Sequence, residues 1–221
     1  MRKFQCAVTF LICSSFALLA IAAEELDWRE ARQEDEITIS VSDVTGSKHQ
    51  AVRAEMTIQA TLNALVGLVS DTSACPELAA LCKRSNVHER ISETELYVYS
   101  YNDIPWPVSD RDALAHVTWQ QDPTELTVIM LAVPTDGILA ETKKAVRIID
   151  GVTSWTFKPL GDGQVNVISQ AHIDPRGPVP AWLTNRLLID APFETMRSLR
   201  TIIQTGRYDD KRFAFISEPQ P

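Results

Sequence analysis

Between residues 37 and 173 the chain returns repeatedly to a two-residue alternation of apolar and polar side chains, then changes once, over residues 180–205, to spacings of three and four. Alternation places one face of a strand inside and the other in water, whereas three-and-four spacing makes a helical stripe. A chain ordered in this way is expected to fold as an antiparallel sheet followed by one long helix. Ile37, Ile39 and Val41 alternate with Thr38, Ser40 and Ser42. After a turn at Gly46 and Ser47, Val52, Ala54, Met56 and Ile58 alternate with Arg53, Glu55, Thr57 and Gln59, which makes a hairpin. Two short helices follow, one through Leu62, Leu65, Val66 and Val69, the other from Pro76 to about Lys83. Further strands are expected at residues 95–101, where Tyr97, Tyr99 and Tyr101 share a face, and at 113–120, where Ala113, Ala115, Val117 and Trp119 share one. Residues 125–133 are apolar on both faces, so their inner side stays unassigned. A single strand over residues 146–158 carries Trp155 and Phe157 with Gly151 as a bulge, and the turn Gly161, Asp162, Gly163 leads into Val165, Val167, Ser169, Ala171 and Ile173. The closing helix bears the stripe Trp182, Asn185, Ile189, Phe193, Met196, Leu199 and Ile203, with Pro180 in its first turn, Gly206 past its end and Pro192 kinking it near Ile189.

Arg2 and Lys3 precede a nearly uncharged apolar run over residues 4–23 that ends in small residues, the pattern of a secretory signal. Ala20, Ile21 and Ala22 place the cut after Ala22, with a cut after Ala23 as the neighbouring choice. The rival reading is an uncleaved N-terminal anchor, because the run approaches the roughly 20 residues that span a bilayer. On the first reading residues 1–22 are a signal peptide, 23–35 a charged segment, 36–207 one domain and 208–221 a C-terminal tail. Removing residues 1–22 takes away two of the 21 basic residues and none of the 29 acidic ones, leaving 199 residues with a net charge of −10. Such acidity is a poor fit to nucleic acid, where a basic patch supplies the affinity, and no nucleic-acid partner is expected.

Cys75 and Cys82 remain, in a compartment that favours disulfides. Seven residues of continuous helix would hold their Cα atoms roughly 10 Å apart, beyond bridging distance. With Cys75 outside a helix that Pro76 begins, a bridge comes within reach. A disulfide and two buried free thiols both stand. Two cysteines without nearby histidines are too few ligands for structural zinc.

A strongly curved sheet wrapped on one helix fills its middle only where large side chains converge. Several inward candidates are small: Ala54, Ala113, Ala115, Ser169 and Ala171. Trp119, Met130, Trp155, Phe157 and Met196 would line the space left, in the manner of an apolar ligand site. The alternative is that these side chains simply pack the core.

Three segments resemble a known family. Pro105, Trp106, Pro107, Val108, Ser109, Asp110, Arg111, Asp112 is similar to the "PwPvxxRD" signature of START domains, the steroidogenic-acute-regulatory-related lipid transfer family. Val146 and Arg147, followed by a Trp/Phe strand ending in Lys158, Pro159 and Leu160, resemble its next block. Asp174, Pro175, Arg176, Gly177, Pro178, Val179, Pro180, Ala181, Trp182 and Asn185 are similar to its "DpxGxxPxwxxN" approach to the closing helix. The likeness spans roughly residues 37–205. It implies an α+β helix-grip fold (START/Bet v 1-like), with a curved antiparallel sheet gripping a long C-terminal helix around an internal cavity. It also implies binding and transfer of a lipid or sterol-like hydrophobic ligand, transient membrane contact, no cofactor, and a periplasmic or secreted location. The cavity is then expected to be lined by Ala115, Val117, Trp119, Met130, Trp155, Phe157, Trp182, Met196 and Leu199. Sterol-type members carry a buried arginine six residues after the motif arginine, and here that position is Val117, so the resemblance does not imply sterol specificity and an acyl lipid or another apolar molecule stands beside sterol as an expected ligand.

Arg111, between Asp110 and Asp112, has two readings: an ion pair fixing the proline-rich loop, or a polar anchor for a lipid head group. His172 and Asp174, with His116, would suit a metal by residue type, but parity puts both histidines on the polar face and no metal site is expected. His49 and His88 lie in polar, turn-like surroundings. The chain contains no GxSxG elbow, HExxH or Gly-rich phosphate loop, and no enzyme is expected. The competing function is an enzyme acting on a hydrophobic substrate in the same cavity; a third is an assembly protein with a collapsed core.

Overall fold

The computed structural model describes residues 26–177 and 179–220, apart from the side chains of Ala181 and Trp182. The expected signal peptide, with Cys6 and Cys13, lies outside the described residues. Ten strands form one sheet. The first three are β1 (Arg29–Glu34), β2 (Ile37–Ser42) and β3 (Ala51–Gln59). After α1 (Leu62–Ser70), a 3-10 turn (Thr72–Ala74) and α2 (Cys75–Leu78) come β4 (Cys82–Arg90), β5 (Glu95–Asn102), β6 (Asp110–Gln121) and β7 (Val128–Pro134). β8 (Ala145–Ile148), β9 (Gly151–Gly161) and β10 (Gln164–Ile173) complete the sheet. The chain then runs through α3 (Ala181–Asn185), a π-helical turn (Arg186–Asp190) and α4 (Ala191–Gln204). The order across the sheet is β1-β2-β3-β10-β9-β7-β6-β5-β4, every neighbour antiparallel, with β8 alone parallel, beside β6. This is the expected helix-grip: one curved antiparallel sheet and a closing helix.

Two strands were not expected, and both are sheet edges. β1 reads REARQE and β4 reads CKRSNVHER, and in β4 only Cys82 is buried. Charged edges discourage pairing with other chains, and having no buried face they carry no alternation to read. β4 also corrects the second helix, which ends at Leu78 instead of near Lys83. Cys75 and Cys82 form a disulfide, with Cα atoms 5.8 Å apart, because the chain leaves the helix between them.

The single strand expected at residues 146–158 is in fact two. Gly151 has φ +136°, and a Cβ there would sit 2.6 Å from the His172 carbonyl oxygen, so this position admits only glycine. The chain turns at Gly151, which leaves β8 free to run parallel to the first residues of β6 while β7 pairs the remainder, from Ala115 to Gln121. What holds β8 is Arg147 on Asp112, directly opposite in register, with contacts of 3.0 and 2.9 Å and both side chains 1% exposed. Tyr99 donates to the same carboxylate, and Arg147 also donates to the carbonyls of Leu139 and Ala140. The expected pairing of Arg111 with its neighbouring aspartates does not form: Asp112 serves Arg147, and Asp110 accepts from the Tyr101 hydroxyl and the Ile104 N–H.

The residues after Arg207, expected as a tail outside the domain, are part of it. Phe213, Phe215 and Ile216 pack on the core. Glu218 accepts from the N–H groups of Leu62 and Asn63 at 3.0 and 2.7 Å, a carboxylate at the positive end of α1.

Replacing Asp112 with Ala leaves the Arg147 guanidinium buried without its partner, and is expected to lower unfolding free energy by about 3–5 kcal/mol. Urea denaturation measures this, and the pair Asp112→Ala/Arg147→Met is expected to recover part of the loss.

Candidate ligand cavity

The closing helix changes character along its length. Pro192 has no N–H to donate to Leu188, and just before it the Ala191 N–H reaches back to Arg186, a π-type bond. The added residue in that turn shifts the helical face by one position. Phe193, Met196, Leu199 and Ile203 face the core as expected, but before the π turn the buried residue is Leu183, while Asn185 is exposed and Ile189 only half-buried. The spacing 183, 188, 193 is one of fives, so the stripe through Asn185 and Ile189 is corrected. The Trp182 side chain itself lies outside the described residues.

A cavity of about 710 Å³ opens beneath this segment. Leu183, Leu187 and Leu188 wall it from the helix, Val52, Ile148 and Ala171 from the sheet, and Ile104 from the loop between β5 and β6. Its polar border is the β2–β3 loop, with Asp43, Lys48, His49 and Gln50, and inside it stands Arg111.

Of the nine residues expected to line a cavity, none of the eight with a described side chain borders this one. Val117, Trp119, Met130, Trp155, Phe157, Met196 and Leu199 belong to the packed core, and Ala115 is packed against it. Val117 and Trp119 face inward as parity requires, and the cavity lies at the other end of the strand. The later part of β6 meets β9 and the C-terminal segment through aromatic rings: those of Trp119 and Phe157 lie 6.4 Å apart, and Phe215 comes within 6.5 Å of Trp119. These rings fill the space that small inward residues leave. Among the described residues no side chain fills it at the opposite end, where β6 begins and the helix is in its π turn.

Arg111 faces this gap, 7% exposed. Its guanidinium donates to the carbonyls of Pro175 (2.9 Å), Arg176 (2.7 Å) and Ser109. It thereby ties the segment that leads into α3 to the start of β6. Burial pushes the group below its ordinary pKa, with the charge of Asp110 opposing. His49 pairs with Asp174 at 3.3 Å and His172 bonds Ser47 at 2.9 Å, so these two meet at the β2–β3 loop, whereas His116 pairs with Glu95 at 2.8 Å elsewhere. Leu187, Leu188, Ile148 and Ile104 were missed as wall residues; the proline at 192 was the available signal that the helical phase would slip ahead of it.

A curved antiparallel sheet closed by one C-terminal helix defines a protein of the helix-grip class. The chain belongs to the START domain family, whose model matches residues 15–205. An uncharacterized protein of Pseudomonas aeruginosa is 30% identical over 194 residues, 88% of this chain and 95% of that one. The crystal structure of a STAR-related lipid transfer protein from Xanthomonas axonopodis is 29% identical, covers 80% of this chain and 98% of that chain, and superposes with a TM-score of 0.73. Human StAR-related lipid transfer protein 5 shares the fold at 14% identity with a TM-score of 0.75, over 84% of this chain and 90% of that one.

Ala171→Trp is expected to fill the cavity and reduce hydrophobic ligand uptake severalfold with the fold intact, measured by displacement of a fluorescent fatty-acid probe. Ala115→Trp crowds the packed core instead, and is expected to cost about 1–3 kcal/mol of stability in a denaturant titration.

Proposed function

We propose that this protein binds one hydrophobic molecule in the cavity beneath the π turn, carries it through water between membranes, and performs no chemistry on it. The observation that carries this reading is the apolar volume itself, about 710 Å³ walled by leucine, isoleucine and valine inside a START fold. Solved relatives named as lipid transfer proteins support the same reading. A methylene occupies about the volume of one liquid water, roughly 30 Å³. The cavity therefore has room for one long chain or a sterol-sized body. Each buried methylene contributes about 0.8 kcal/mol, enough to hold such a chain against water.

Transfer needs a contact with the membrane and a way in. Trp106, 89% exposed at the loop before β6, offers an aromatic ring of the kind that settles at a membrane interface. Ile104, two residues before it, is shared between the main cavity and a second one that Trp106 and Arg186 border. The π turn with Pro192 is the gate in this reading, since its backbone is the least regular part of the helix over the cavity. Export fits the signal pattern at residues 1–22 and the Cys75–Cys82 bridge, and we place the mature protein in the periplasm or outside the cell.

Native mass spectrometry on protein purified from its own compartment, followed by organic extraction, tests the binding. A stoichiometric apolar adduct is expected, with a mature N-terminus at Ala23. Protein that carries no adduct and takes up no chain, or that converts an extracted ligand, overturns the reading. Trp106→Ala is expected to slow transfer between donor and acceptor vesicles severalfold while equilibrium binding stays unchanged.

A further inference from the structure

Among the described residues, Arg111 in the cavity has no ion-pair partner. Arg111 has five N–H donors, of which three are committed to the carbonyls of Ser109, Pro175 and Arg176. Among the described residues the other two find no acceptor, one on each terminal nitrogen, in a cavity that joins aliphatic walls to a polar side with Lys48, His49, Gln50 and Asn102. The carboxylates nearest in sequence are engaged elsewhere, Asp112 by Arg147 and Asp110 by Tyr101 and Ile104. At the rim, Asp43 is held by Arg29 and Gln50, and Asp174 by His49. Carbonyl dipoles orient a guanidinium but do not neutralise it, and a buried charge left uncompensated is costly. The contrast with Arg147 is direct: that arginine, on the other side of β6, is paired with a carboxylate in register, whereas Arg111 is not.

We propose that Arg111 receives the head group of a single-chain amphiphile ending in an oxyanion, a long-chain carboxylate or an alkyl phosphate, whose chain lies along Ile148, Ala171 and Leu188. This rests on the carrier reading above and names the ligand class for that site. The two free N–H groups suit two oxygens of one oxyanion, and such charge-assisted bonds are the strong ones. Because Arg111 also grips the Pro175–Arg176 backbone, an anion on it bears on the same group that positions the start of α3, so head-group binding and the placement of the helix over the cavity are coupled through one side chain.

The test compares hexadecanoate, hexadecyl phosphate and hexadecanol by calorimetry on the unaltered protein above neutral pH. One or both oxyanions are expected to bind about tenfold or more tightly than the alcohol, the scale of a charge-assisted hydrogen bond. Arg111→Met is expected to erase that preference while keeping hexadecanol binding, and Lys48→Gln, at the rim, is expected to leave the preference in place. Should Arg111→Met fail to fold, the comparison of head groups on the unaltered protein and on Lys48→Gln decides. Equal binding of alcohol and oxyanion, or a preference lost with Lys48 instead, overturns the assignment to Arg111 and leaves carriage standing. Binding of no chain at all overturns carriage itself.

Discussion

A buried ion pair between Arg147 and Asp112 holds the unusual corner of this sheet, and much of the rest follows from it. β6 is long enough to pair with two strands on the same side, β7 along its later part and β8 along its beginning. Without Arg147 fixed on Asp112, four residues of parallel strand would have little to keep them there. With it, Ile148 becomes part of the cavity wall. Arg111, one residue earlier and therefore on the opposite face of β6, holds the approach to the closing helix by three carbonyls. Two adjacent residues thus secure both sides of the same strand, one by charge pairing and one by dipoles.

The grip is uneven along its length, and this unevenness makes the site. Over α4 and the residues after Arg207, aromatic rings interlock and the helix sits directly on the sheet. Toward α3 the helix passes through its π turn, its face rotates by a residue, and leucines look across a gap at Ala171 and Val52. The packed end stabilises the domain, so the other end can remain hollow. Glu218 on the start of α1 and the phenylalanines before it add to the packed end, which is why the last residues belong to the domain.

The local patterns in the chain were enough for the architecture. Alternation marked the half-buried strands β2, β3, β5, β6 and β10, and three-and-four spacing marked α1 and the later part of the closing helix, because each of those elements buries one face and its hydropathy records which. The "PwPvxxRD" resemblance identified the family through residues that turn out to serve the frame: Asp112 holds β8, Asp110 fixes the proline-rich loop, and Arg111 fixes the loop before α3. Elements without a one-sided hydropathy, the charged edges β1 and β4, left no such record.

Only the tertiary structure decided where the empty space lies. Parity says which way a side chain points, and it pointed Val117 and Trp119 inward correctly; it does not say what stands opposite. That depends on a helix whose phase slips at Pro192 and on phenylalanines from residues 213–215, contacts made across nearly a hundred positions of chain. Sequence by itself thus determined the sheet, the helix, the family and the inward faces, all properties of neighbouring residues. The cavity's position, and the placing of Arg111 within it, arise from surfaces that meet only once the chain has closed on itself.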